Sequence, residues 1–149
     1  MAVRVQIEDF DLGREANALV AGSTDAGALA TFSGLVRDDG CLAALELEHY
    51  PGMTEAALAE IEAQACARWP LTASLIIHRI GRLEPGAQIM MVATASPHRR
   101  AAFEAAEFLM DLLKSRAPFW KKEHLTNGSA RWVAARVSDE DALDRWDAG

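Results

Sequence analysis

The sequence predicts an α+β fold, and three observations carry that expectation. Strand-like runs come in pairs joined by turn chemistry. Two longer segments show helical spacing with clear stop signals, and helices are mixed among hairpins instead of alternating with every strand. The 149 residues are half apolar and a quarter charged, so one domain over residues 1–149 is expected, burying roughly 70% of its unfolded surface.

Taken in order, Val3 to Ile7 ("VRVQI") alternates and reads as a strand. Asp11 stands where an N-cap would start a short helix over Leu12 to Val20, and the small-residue run "AGSTDAGA" then makes a loop. Ala28 to Val36 is a strand, Arg37 to Gly40 ("RDDG") is turn chemistry, and Leu42 to Tyr50 is a second strand; the pair is expected to form an antiparallel hairpin. Thr54 is the expected N-cap of a helix with an apolar face of Leu58, Ile61, Ala65 and Trp69, stopped by Pro70. Ala73 to Gly81 and Ala87 to Ser96 read as two strands around the turn "RLEPGA". Ser96 and Pro97 then look like an N-cap and first helical residue, with the helix reaching about Arg116 because Pro118 disfavours helical geometry at Ala117. Phe119 to Leu125, "TNGS" and Ala130 to Val137 predict another hairpin, and Ser138 to Trp146 a capped short helix.

The net charge of −7 argues against a nucleic-acid binder, which needs a basic face for phosphate contacts. No apolar run nears the about 20 residues that cross a bilayer, and the N-terminal stretch lacks a signal peptide's apolar centre, so a cytoplasmic protein is expected. Cys41 and Cys66, 25 apart with no histidine at ligand spacing, read as ordinary thiols; neither a metal nor a cofactor is called for. No Ser-His-Asp order, Gly-rich phosphate loop or paired-carboxylate motif stands out.

The lysines are the anomaly. All three, Lys114, Lys121 and Lys122, fall in "KSRAPFWKKE", while the twelve arginines are spread from Arg4 to Arg145. Phe103, Met110 and Lys114 share one helix face at spacings of seven and four; the first two read as core packing, whereas Lys114 must snorkel or line a pocket. Strand alternation puts Lys121 and Glu123 on one face and Lys122 on the other, so Lys114 and Lys121 converge if the strand folds back beside its helix. His98 and Arg99 are expected in the helix's first turn, where unpaired N–H groups favour an anion; a solvated "HRR" surface run is the competing reading. Arg37 alone reads as a rim charge, and His49 and His78 as satisfied structural histidines. Spacing therefore points to a small-anion pocket with lysine chemistry, since lysine, unlike arginine, can shed its proton.

The segments "TFSGLVR", "LELEHYPGMTEAALAEI", "RWPL", "IIHRIG", "PHRRAAFEAAEFLMDLLKSRAPFWKKE" and "RWVAAR" together resemble the catalytic (large) subunit family of molybdopterin synthase. The resemblance covers most of the chain from about Thr31 to Arg136, in family order. It implies an α/β-hammerhead-type fold with mostly antiparallel sheet and a long helix near the active site. It implies a sulfurtransferase that converts cyclic pyranopterin monophosphate (precursor Z) to molybdopterin by installing two dithiolene sulfurs. The donor is the C-terminal Gly-Gly thiocarboxylate of a small ubiquitin-like sulfur-carrier subunit, and the assembly is a heterotetramer around a catalytic-subunit homodimer. Carried over by position, the substrate-binding residues are Phe32, Leu35, Val36, Arg37, His98, Arg99, Met110, Lys114, Lys121, Lys122 and Glu123, with Lys114 and Lys121 catalytic. Arg131 and Arg136 are candidates to complete a neighbouring subunit's pocket. Leu35 departs from the basic residue of many relatives, which leaves only a backbone contact to carry over there, and the 38–42 turn is shorter than expected. The rival readings are a non-catalytic domain binding a ubiquitin-like C-terminal tail and a generic phosphate-ligand enzyme.

Overall fold

The computed structural model describes residues 1–133 and 137–147, the side chains of 137–140 excepted. Twelve elements follow in order: β1 (Ala2–Gln6), α1 (Leu12–Val20), β2 (Ala28–Leu35), β3 (Leu42–His49), α2 (Met53–Arg68), β4 (Ala73–Arg79), β5 (Gly81–Leu83), β6 (Gln88–Ser96), α3 (Arg99–Arg116), β7 (Phe119–Leu125), β8 (Ala130–Val133) and α4 (Val137–Asp147). The strands form two four-stranded sheets, ordered β1-β4-β6-β2 and β5-β3-β7-β8. Among the described residues only β1–β4 is a parallel pair; the other ladders are antiparallel. The α+β expectation holds. Among the described residues, no helix is long and apolar enough to cross a membrane.

The first sheet is covered on both faces, which explains why β4 and β6 read as continuous apolar runs instead of alternating ones. On one face Leu75, Ile77, Met91 and Ala93 meet Phe10, Leu12 and Leu19 under α1. On the other, Ile76, Met90 and Val92 join Leu58 and Ile61 of α2 and Phe108, Leu109 and Leu112 of α3 in the main core. Truncating fully buried Phe108 to alanine would cost about 3–5 kcal/mol. The face of α2 read from the sequence is the buried one.

Local chemistry placed some boundaries well. The Asp11 carboxylate accepts the Arg14 N–H at 3.0 Å and caps α1 as expected. Long-range pairing overturned other expectations. β2 does not pair with β3: it pairs with β6, while β3 lies in the other sheet between β5 and β7. After β2, Val36 is held against the 84–87 turn, its N–H donating to Ala87 O (2.9 Å) and its carbonyl accepting from Gly86 N–H (2.8 Å). That pairing carries the chain out of the first sheet before the "RDDG" turn, so the turn joins two sheets. β4 and β6 do pair antiparallel, but β5 lies within their connection and belongs to the second sheet.

Two helix starts also moved. α2 begins after Gly52, whose φ of +86° suits glycine, and Thr54 lies buried inside the first turn. Ser96 is the last residue of β6 rather than an N-cap, because its hydroxyl accepts the His98 N–H at 3.2 Å and donates to the His98 carbonyl. His98, in extended geometry, is the N-cap of α3. The β7–β8 hairpin forms with Lys121 opposite Val133, and the rest of its expected second strand, 134–136, lies outside the described residues.

Candidate active site

The opposite signs of local preference around Pro118 build a corner. α3 is helical to Arg116, Ala117 is extended, and the Phe119 N–H turns back to the Ala117 carbonyl at 2.9 Å. β7 then runs between β3 and β8. In its register Lys121 lies opposite Leu47, which is buried in the main core, and Lys122 lies opposite Glu46 and Trp132. The two adjacent lysines thus occupy opposite faces, as alternation predicts. Lys122 sits over the Trp132 ring, 5.4 Å from its centroid. Glu123 shares the Lys121 face and is bonded to Arg131 Nε of β8 at 3.0 Å. Beside Lys122, His124 meets Glu46 at 2.7 Å. A cavity of about 440 Å³ opens among Glu48, His49, Tyr50, Pro51, Trp120 and Trp132, and neither Lys114 nor Lys121 lines it.

Two buried polar residues hold the corner. Thr54 Oγ1 accepts the Tyr50 N–H (2.9 Å) and donates to the Pro118 carbonyl (3.0 Å). His78, 2% exposed, stacks on Phe119 with ring centroids 3.8 Å apart and planes at 17°. Its Nδ1 lies 2.8 Å from the Arg79 carbonyl. A carbonyl only accepts, so Nδ1 carries the proton and a neutral ring leaves Nε2 as the lone-pair nitrogen. Burial pushes the imidazole pKa down from 6.5 to about 3; the Arg79 carbonyl opposes this, and the positive charges of Lys114, Lys121 and His49 reinforce it. The charges of Lys114 from α3 and Lys121 from β7 therefore both reach one ring.

The remaining predicted residues divide between two ends of the molecule. β6 and α3 are joined by only Pro97 and His98, and Thr94 Oγ1 donates to the Ala102 carbonyl at 2.6 Å, tying the first turn of α3 to the end of β6. The helix then runs back along the sheet, bringing Lys114 to His78, which pairs with Met90 near the start of β6. At that same end Gly34 pairs with Met90 and Leu35 with Gln88, so exposed Arg37 follows at the lysine end. Phe32 is 45% and Leu35 57% exposed, whereas Val36 is buried. Met110 is buried in the core, but Phe103 is 67% exposed, so the expected apolar stripe is not continuous. His98 and Arg99 sit at the far end, exposed, about 22 Å from Lys114 along the helix axis. A single chain does not bring Arg37 and the His98–Arg99 pair to one small anion. Arg131 is exposed and paired to Glu123, while Arg136 lies outside the described residues.

Arg37 and Arg99 have no carboxylate partner among the described residues, in contrast to Arg4, Arg100 and Arg145, which each have one or two. Both thiols are free, and burial pushes Cys66 up, away from thiolate reactivity. Sequence reasoning missed the corner roles of Thr54 and His78. The available signal for His78 was an ionisable residue ending the apolar run "SLIIH"; for Thr54 there was none, because its partner is 64 residues away.

The chain's residues 5–116 match the family model described as MoaE protein. It is 60% identical over 147 residues to the molybdopterin synthase catalytic subunit of Cereibacter sphaeroides, covering 98% of this chain and 100% of that one. To the molybdopterin synthase catalytic subunit of Rhizobium meliloti it is 58% identical over 148 residues, covering 98% and 96%. Among solved structures, the molybdopterin biosynthesis MoaE protein of Burkholderia ambifaria superposes with a TM-score of 0.84 at 54% identity, covering 98% of each chain.

Proposed function

The chain belongs to the MoaE protein family, in which its relatives are molybdopterin synthase catalytic subunits, and from that premise we propose how its residues carry the reaction. The proposed conversion takes cyclic pyranopterin monophosphate to molybdopterin, with two dithiolene sulfurs supplied by the C-terminal thiocarboxylate of a small ubiquitin-like carrier. The observation that supports a lysine-centred site is that the charges of Lys114, at the end of α3, and Lys121, early in β7, both reach His78, which stacks on Phe119 at the α3–β7 corner.

Lys114, at the exposed end of α3, orients the carrier's thiocarboxylate and balances its charge as the sulfur attacks. Lys121, half-buried on β7, moves the proton as oxygen leaves and the cyclic phosphate opens. Since the reactive sulfur arrives on the partner, the chain needs no nucleophilic cysteine of its own. Two carriers discharge per product, so the singly sulfurated intermediate stays bound between transfers.

Arg37 and the His98–Arg99 pair hold phosphate and pterin. Because one chain separates them by roughly 25 Å of β2–β6 ladder, the site takes its Arg37 from one subunit and its His98 and Arg99 from a second copy. A homodimer with one carrier at each end satisfies that geometry. Lys122, on the opposite face from Lys121, has no role in proton transfer, and Glu123 orients Arg131 rather than a lysine.

The test is conversion of the cyclic pterin phosphate with thiocarboxylated carrier, followed in a single turnover. Wild type is expected to yield molybdopterin only with the carrier present, and Lys114→Ala and Lys121→Ala to yield little. Wild-type product formation in both variants would sink the assignment; carrier binding without conversion by wild type would favour a tail-binding domain.

A further inference from the structure

The reaction needs two ammonium groups on different elements held at a fixed separation, and only Ala117 and Pro118 join those elements. A two-residue link leaves the angle between helix and strand open unless something outside it holds the corner. Two side chains do so from the core. Thr54 binds the Pro118 carbonyl, and His78 lies flat against Phe119, two residues before Lys121 on the same strand face. His78 is itself fixed, since its Nδ1–H is bonded to the Arg79 carbonyl and β4 is covered on both faces.

We propose that His78 is a positioning residue for the lysine pair: its ring, stacked on Phe119, fixes the angle at which β7 presents Lys121 to Lys114. The inference rests on the function proposed above and adds to it a residue that does not touch substrate. A hydrophobic aromatic would stack equally well, and a protonated imidazole would repel both lysines. A neutral histidine stacks, bonds its own strand and adds no charge beside them. The role assigned here is the stack, so the ring and not the nitrogen lone pair is what a variant must preserve.

Three variants separate this from plain core filling: His78→Ala, His78→Leu, which fills the space without a ring, and His78→Phe, which restores the stack. The first readout needs no activity. Wild type and variants are lightly acylated with acetic anhydride, and the labelling of Lys121 relative to Lys122 is read by fragment-ion mass spectrometry; Lys122 on the opposite face is the internal reference. The Lys121/Lys122 ratio is expected to rise at least about threefold in the alanine or leucine variant, whichever folds, and to return in the phenylalanine variant. The second readout is the single-turnover rate per folded protein. It should fall about tenfold without the ring while the half-saturating carrier concentration stays within about twofold, and recover with phenylalanine. An unchanged labelling ratio, a rate loss that phenylalanine does not rescue, or a labelling change with no rate loss overturns the role. If wild type converts no substrate, the proposed function falls while the labelling ratio still decides what His78 does.

Discussion

The two ends of α3 are built differently. At its C-terminal end the helix runs into a corner clamped from the core by Thr54 and His78, and the charges of its lysine and of a second lysine from a strand reach the same histidine. At its N-terminal end His98 and Arg99 project without a described side-chain partner, although the backbone beneath them is firmly held. Ser96 binds both backbone groups of His98, and Gly27 packs so closely that a Cβ there would lie 2.1 Å from the Pro97 carbonyl. One end has its side chains assembled; the other has only its backbone fixed. Under the proposed shared site, each chain gives a finished half and a waiting half.

The largest effect should come from the finished half. Lys121→Ala is expected to lower the single-turnover rate by about 10²-fold or more, the range of a lost proton-transfer group. Lys122→Ala should cost at least about tenfold less, because its side chain lies on Trp132 across the sheet. Equal losses at both positions would erase the distinction between the faces of β7.

The waiting half should behave as a binding element. Replacing Arg99 by alanine removes a charge-assisted anion contact of about 1.5–3 kcal/mol, which raises the half-saturating pterin phosphate roughly ten- to a hundredfold and leaves the saturated rate little changed. Mixing Arg37→Ala and Arg99→Ala subunits, at a pterin phosphate concentration too low for either variant alone to turn over well, should restore activity, since one pairing of halves is then intact. If remixing restores nothing, both residues serve the same chain's site and the two-copy geometry is wrong.

How much of this contrast was legible beforehand depends on how far each residue's partner lies along the chain. Asp11 and α1 were read correctly because a cap is bonded three residues away. The opposite faces of Lys121 and Lys122 followed from period-two alternation, again a local rule. The β2–β3 hairpin was misread because "RDDG" is genuine turn chemistry, whereas the choice of β6 as the partner is made by burial of the whole sheet. Thr54 looked like a cap because its partner Pro118 is distant in sequence; His78 is the satisfied structural histidine it was read as, but its stack on Phe119, equally distant, was not legible. The candidate site residues came from residue type and resemblance, but their division between two ends is a property of ladder register and helix direction. Neither can be read from spacing.

The clamped end should also carry a pH signature. His78 stays neutral in the folded chain down to about pH 3, whereas the unfolded histidine takes up a proton near 6.5. Between those values the unfolded state binds more protons, so stability falls as pH falls, by up to about 1.4 kcal/mol per pH unit, and this contribution levels off below the folded value. His78→Phe removes that slope. Urea midpoints from pH 7 to 4 for wild type and variant should diverge in the acid range; parallel curves would mean that the histidine is not held neutral at the corner.

The smallest effects test the two ends through their backbone bonds. Thr54→Val keeps the shape of the side chain but removes the partner of the Tyr50 N–H and of the half-buried Pro118 carbonyl, a loss of about 1–2 kcal/mol by denaturant unfolding. Thr54→Ser retains both bonds and should recover most of it. Ser96→Ala removes a comparable pair of bonds at the other end, yet His98 is exposed and water can take over its N–H and carbonyl. Its cost should be about 0.5–1 kcal/mol. Tyr50 is exposed as well, so the difference rests on half-buried Pro118, whose carbonyl water reaches less readily than that of His98. An equal or larger loss in Ser96→Ala would reverse the assignment of which end is built into the fold and which is left for a second molecule to complete.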